Sequence, residues 1–363
     1  MLLPTLLSIK RIMKKLVSKI LRRKSNDDAP SRITNDTVAE HRERILAGGR
    51  RFKYPVQYAR HRLVFNAIII SVAALIVIIA VGYWQLYPAQ NTSEFVYRVT
   101  KVLPLPVAYV DGQEVPYSDY LMKYLSSVHY LEQKEQVSLK SDDGKRQVEF
   151  IKQSSLDDAI ADAYARKLAD KLGITVSDTE LQAFLKAQRQ SSDGEVSEQT
   201  YDAVILDYYG WSPDEYTYAM KVKILRQKVT YAVDADAKAT SDSLAGQVVA
   251  PNANFQTIAG DINKATPGKV VYGSSGLVPK SNQDGGLASV AATLTKGQVS
   301  SVIKSTTGGG YYYIRLLDSN ATQVSYEFIQ VPLTEFNKEL ASVKTANKVT
   351  RLISVAPLSA TTN

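Results

Sequence analysis

Ala67 to Leu86 reads AIIISVAALIVIIAVGYWQL, twenty residues without a charged side chain. At about 1.5 Å of rise per residue this run matches the roughly 30 Å hydrocarbon core of a bilayer. A buried core helix of that length would show a polar stripe, and only Ser71 interrupts the interior of this one. The sequence predicts one transmembrane helix over residues 65–87. Arg50, Arg51, Lys53, Arg60 and Arg62 crowd its N-terminal side, and Tyr83, Trp84 and Tyr87 mark the far end. Basic flanks stay cytoplasmic and amphipathic rings prefer the interface. The expected topology is a single-pass cell-membrane protein with its N-terminus in the cytoplasm and residues 88–363 outside. The run begins too late, and is too long, for a cleaved leader.

Charge is distributed to match. Residues 1–64 hold 16 Lys/Arg against 5 Asp/Glu, and the remainder hold 28 against 31. A basic end on a mildly acidic body is not the footprint of a globular nucleic-acid binder. Leu6, Ile9, Met13, Leu16, Val17 and Ile20 fall at helical spacing among Lys10, Arg11, Lys14, Lys15, Arg22 and Arg23. This pattern predicts a basic amphipathic helix suited to anionic lipid; a disordered basic tail is the alternative. Residues 25–50 read as a polar linker.

The chain has no cysteine and three histidines, His41, His61 and His129. Disulfides and thiolate chemistry are excluded, and zinc or Ser-His-Asp chemistry is poorly supplied. No metal or other cofactor is expected.

Residues 88–104 read as an extended stalk. Val107 to Val115 then places two β-prone arms around Asp111-Gly112, a tight-hairpin signal. Ser118 is a candidate cap for a helix carrying Leu121, Tyr124, Leu125, Val128 and Leu131. Ile160, Ala163, Tyr164 and Leu168 form another apolar face, with Gly173 as its C-cap. Ser177–Glu180 and Ser212–Glu215 read as capping boxes, the second with Pro213 at the first helical position. Tyr201, Val204, Ile205 and Tyr208 suggest a short helix between them. The 22 tyrosines suit a contact surface for another chain, although half-buried packing is their commoner use.

The order of these pieces resembles the N-terminal chaperone domain of SurA, PrsA and PpiD-like proteins. The resemblance is carried by Val107–Val115, Lys171–Leu181 (KLGITVSDTEL) and Tyr208–Tyr216 (YYGWSPDEY), and covers residues 105–232. It implies a helical cradle for unfolded or nascent secreted chains.

Residues 238–335 resemble a parvulin-type (PpiC) prolyl isomerase. The resemblance rests on Asn254–Ala259, on Gly268–Lys280, on Lys296–Ser300 (KGQVS) and on Gly310–Asp318 (GYYYIRLLD). It implies a small α+β domain with a polar cluster and an apolar proline pocket. Where the family carries a His on its last strand, this chain has Tyr312. Ala265 falls nearest the family's Asp or Cys. The His of the family's first strand has no counterpart, since no His lies beyond His129. Leu277, Val278, Ser281, Leu294 and Tyr272 are the pocket candidates. Tyr312 can donate a hydrogen bond while its phenol stays neutral near pH 7; it can equally be one of three alternating strand residues that fill a core.

Val324, Tyr326, Phe328 and Val331 alternate as in a strand, and Phe336, Leu340 and Val343 suggest a helix within residues 336–363. Val229–Val233 is the candidate for the family's first strand, or else 324–331 takes that place at the sheet edge. The expected fold class is therefore α+β: one membrane helix, a mainly helical SurA-like domain and a parvulin-like domain. Three functions remain open: a membrane-anchored chaperone, an active isomerase, and a scaffold with one fixed partner.

Overall fold

Thr34 precedes a helix where the polar composition of residues 25–50 had suggested a linker. Its N–H donates to Thr37 Oγ1 at 2.8 Å, and that hydroxyl returns a bond to Thr34 O. The result is α1 (Asn35–Lys53), with Asp36 in its first turn and an exposed Glu40–Arg44 pair one turn apart. The computed structural model describes residues 34–53, 55–191, 194–307 and 309–355. The basic amphipathic helix expected within residues 1–24 lies outside them. The chain divides into two compact units, Met1–Val81 and Gly82–Asn363. After α1 comes α2 (Pro55–Leu86). Among the described residues it is the one helix long and apolar enough to cross a membrane, over His61–Leu86, with mean hydropathy 3.0 and none of that window buried.

In the second unit, Asp111 and Gly112 take φ of 46° and 84°, the paired positive values of a type I′ turn. They fold β1 (Pro106–Val110) onto β2 (Gln113–Pro116). Between α2 and this hairpin the stalk expectation fails. EFVYRVTKV has helical periodicity, Ser93 Oγ caps Val96 N–H, and α3 (Glu94–Val102) forms with Val96, Tyr97 and Thr100 buried. The next helix, α4 (Tyr117–Gln133), starts after Pro116 without a side-chain cap, so Ser118 lies inside it.

Helix α5 (Asp142–Leu172) begins well before its apolar face became legible, capped by Ser141 and closed by Gly173 at φ 66°. Ser177 accepts from Glu180 N–H to open α6 (Asp178–Gln188), while the Glu180 carboxylate reaches Lys228 at 2.8 Å. After the short hairpin β3 (Gln190–Ser191) and β4 (Gly194–Glu195) come α7 (Glu198–Tyr209) and α8 (Pro213–Val233). The Ser212–Glu215 box at the start of α8 is complete.

The sheet module follows: α9 (Ala235–Val248), α10 (Phe255–Ala265), β5 (Val271–Pro279), α11 (Leu287–Ala291), β6 (Ile303–Lys304), β7 (Tyr311–Ser319) and β8 (Gln323–Val331). Strand order is β5-β8-β7-β6, antiparallel throughout. Tyr311, Tyr313, Ile329 and Val331 pack with α9 and α10 on one face. Ile314, Leu316, Val324 and Tyr326 pack with α11 on the other. Two topological expectations are corrected here. Val229–Val233 is the last turn of α8 and not a strand. Strand β8 lies between β5 and β7 rather than at an edge, with its backbone paired to β5 on one side and to β7 on the other.

The chain then returns to the helical body. Phe336 and Leu340 of α12 (Glu335–Thr345) join its core, as do Ile353 and Val355. β9 (Val349–Arg351) pairs with β1, giving the order β2-β1-β9. The sheet module is thus inserted between α8 and α12. Helix dominates and strands form small separate sheets, so the class is α+β.

Candidate functional site

Gly210 ends α7 in the left-handed region, at φ 67°, and a Cβ there would meet the His129 ring at 3.2 Å. Glycine therefore lets the chain turn tightly past α4 and deliver Trp211 into the body. The Trp211 indole stacks on Tyr209, ring centroids 5.1 Å apart at 20°, and its Nε1 donates to Met122 O at 3.4 Å. Three surface grooves meet at this residue.

The first, about 710 Å³, runs between α4 and α5 and is lined by Tyr130, Leu131, Phe150, Ile151, Tyr209 and Trp211. Phe150 is 55% exposed, and Tyr130 and Tyr209 are each about two-fifths exposed. So many accessible rings in one depression make an adhesive surface for apolar side chains. The second groove, about 440 Å³, continues past Trp211 between α8, α12 and the β6–β7 loop. Its floor is a charge-balanced cluster. Lys123 Nζ lies 2.5 and 2.7 Å from Asp158 and Asp162, and Arg226 lies 2.6 and 3.1 Å from the same pair. Burial disfavours the Lys123 ammonium, but Asp162 and Asp158 more than compensate, so its pKa is raised. The third groove, about 680 Å³, lies between α3, α4 and the α7–α8 elbow, with Tyr97, His129 and Glu215 in its wall. Burial alone would raise Glu215, yet the Ser212 backbone N–H, the Tyr97 hydroxyl and Lys101 hold its pKa down to about 2. Among the described residues, no group of three or more His, Asp or Glu is placed to hold a metal.

The sheet residues singled out from sequence divide between two faces. Tyr312, Val278 and Leu294 all pack against the α11-side core. The Tyr312 ring sits 5.7 Å from that of Phe328. Burial first, then the Asp284 charge, raises its phenol pKa further above neutrality. Tyr272 pairs with Ile329 of the opposite face and donates to Glu327 at 3.1 Å. Leu277 is 57% exposed and pairs with Ser325, whose neighbours Val324 and Tyr326 face the α11 side. These two do not join Tyr312. Ala265 ends α10, a helix that packs on the face away from Tyr312. Its neighbour Asn263 has a structural task, holding Val270 N and O at 3.1 and 2.8 Å as a strand would. Beside Tyr312, Asp284 accepts from Tyr326 Oη at 2.6 Å and from Ala288 N–H.

The groove residues Trp211 and Phe150 were not singled out from sequence. The Gly-Trp-Ser motif held a signal for the first. The second was hidden because Phe150 lies off the stripe formed by Val148, Ile151 and Leu156, on the exposed side of α5.

The family model for the SurA-like N-terminal domain matches residues 58–230. A SurA-like N-terminal domain is present there; the matched stretch takes in most of α2, the β1–β2 hairpin and the helices that line the first and third grooves, while the second groove is completed by α12 and the β6–β7 loop beyond it. No curated protein matches the chain.

Proposed function

We propose that this protein is a membrane-tethered folding factor of the cell envelope that holds unfolded secreted chains in the grooves meeting at Trp211. A SurA-like N-terminal domain indicates a chaperone-type folding factor with an envelope location. The observation that carries the finer reading is the convergence of exposed rings, Tyr130, Phe150 and Tyr209, on that tryptophan. Grooves of this kind take extended chain without demanding one sequence. That favours many clients over the single fixed partner of a scaffold. Helix α2 would anchor the body outside the membrane, with the basic N-terminus on the cytoplasmic side.

The parvulin-like sheet module serves here as a second contact surface. Tyr312 is half-buried against Phe328 with a phenol held neutral, and of the expected pocket residues only Val278 and Leu294 share its face while Tyr272 and Leu277 lie on the other, which supports contact over catalysis. An active isomerase working through Tyr312 is the competing reading, favoured by the adjacent Asp284–Tyr326 pair.

The test is suppression of aggregation of several unrelated unfolded proteins by the full chain, compared with Phe150→Glu. Phe150 is mostly exposed, so the variant should fold normally and lose holding activity several-fold toward every client. Undiminished holding would exclude this groove. Capture of one client only would favour the scaffold.

A further inference from the structure

Helix α3 is apolar on two opposite sides. At about 100° per residue, Val96, Tyr97 and Thr100 form one side, and they are buried. Phe95, Val99 and Val102 fall within about 60° of one another on the other side. There Phe95 is 74% exposed, Val102 is 80% exposed and the following Leu103 is also open. Isolated exposed apolar residues are ordinary, but a stripe along the whole length of a helix is not.

The charges beside the stripe are already engaged. Arg98 is paired with Glu94 on the same helix. Lys101 lies 3.0 Å from Glu215 and over the Tyr97 ring. The stripe starts nine residues after Leu86, the last residue of α2. Ala89 N–H donates to Trp84 O, and Asn91 N–H to Gln85 O at 2.9 Å; the Asn91 side chain also bonds Gln85 Oε1. The segment after α2 is thus folded back on that helix's last turn, where Tyr83 and Trp84 are exposed. Phe95 comes four residues after Asn91, so its Cα lies within about 20 Å of this ring-bearing turn.

From these observations we propose that the outer side of α3 is a membrane-contact surface, seated in the interfacial layer of a phospholipid bilayer beside the end of α2. It rests on the reading of His61–Leu86 as a membrane span. The driving force is burial of Phe95, Val102 and Leu103 among acyl chains. Because Arg98 and Lys101 are internally paired, the contact needs no anionic lipid.

The chain has no cysteine, so a single introduced one is a unique labelling point. The full chain is reconstituted in phosphatidylcholine vesicles with an environment-sensitive fluorophore at Phe95→Cys, Val102→Cys, Ile76→Cys or Ser289→Cys. Position 76 reports the span, and position 289 an exposed turn of α11. The expected result is at least twofold stronger quenching of probes 95 and 102 than of probe 289 by a shallow lipid-borne spin label, and weaker quenching by aqueous iodide. If probes 95 and 102 meet iodide as freely as probe 289 while probe 76 is quenched by lipid, the span stands and the α3 contact is wrong. If probes 95 and 102 are shielded from iodide but untouched by the lipid label, protein covers the stripe, and the inference is likewise overturned. If probe 76 itself meets iodide, the span reading has failed and takes this inference with it.

Discussion

Asp234 Oδ2 accepts a hydrogen bond from the Thr334 backbone N–H at 2.7 Å, across 100 residues of chain. The same oxygen accepts from Glu335 N–H at 3.0 Å, and Oδ1 accepts from Ala237 N–H at 2.9 Å. One buried carboxylate therefore caps α9, where the chain leaves the helical body, and α12, where it comes back. Burial would raise its pKa, but the Ala237, Glu335 and Thr334 N–H groups outweigh that and lower it.

Replacing Asp234 by Ala should strip both caps at once. Each lost cap costs about 0.5–2 kcal/mol, and the N–H groups left in a buried junction add to that. Denaturant unfolding should show a stability loss of about 2–4 kcal/mol, and limited proteolysis should find new cleavage near residues 234 and 334. Asp234→Asn, which keeps one acceptor oxygen, should fall between. An unchanged midpoint for the alanine variant would remove the carboxylate from the junction's stability.

Glu215 links α3 to α8 through Tyr97 at 2.7 Å and Lys101. Its ordinary value of 4.5 is lowered to about 2 in the folded chain. A depressed folded-state pKa contributes stability that is fully present above 4.5 and is lost as pH falls toward 2. Denaturant midpoints measured between pH 6 and pH 2.5 should decline across that window. Glu215→Gln should be less stable at pH 7 and decline less steeply; an equally steep decline would assign the acid sensitivity to other carboxylates.

Proline isomerisation should separate binding from chemistry. With Tyr312 packed on Phe328, the full chain should not accelerate cis–trans exchange of an X-Pro peptide well above its uncatalysed timescale of tens to hundreds of seconds. Tyr312→Phe should leave that rate unaltered. Marked acceleration that disappears in the phenylalanine variant would instead establish the isomerase reading.

Gly310 approaches strand β8 where no side chain fits. At φ 123°, an added Cβ would meet Val331 O at 2.1 Å. Gly310→Ala should force the start of β7 away from β8 and cost several kcal/mol, measured as a lower Tm. Gly246→Ala, on α9 with open space around the new methyl, should be neutral or slightly stabilising.

The features legible in the sequence were those whose cause is local. Asp111-Gly112 sets its own turn, and Ser212, Pro213 and Glu215 define a helix start within four residues. What stayed hidden depends on distant partners. The stalk expectation failed because burial of Tyr97 is completed by Glu215, more than a hundred residues on. Strand 324–331 gave no sign of central placement, since alternation reveals two faces but not two neighbours. Tyr312, Val278 and Leu294 share the α11-side face. Tyr272 and Leu277 were separated from them by face assignment, which residue type alone does not encode.

The pairing of β9 with β1 also sets a schedule. Ala108 lies opposite Arg351, so the first sheet waits for about 240 more residues before its third strand exists. At roughly 5–20 residues per second of synthesis, that interval is about 10–50 s. For that time β1 is an open edge on a partly built body. The newborn protein is briefly the kind of chain that its finished grooves are proposed to hold.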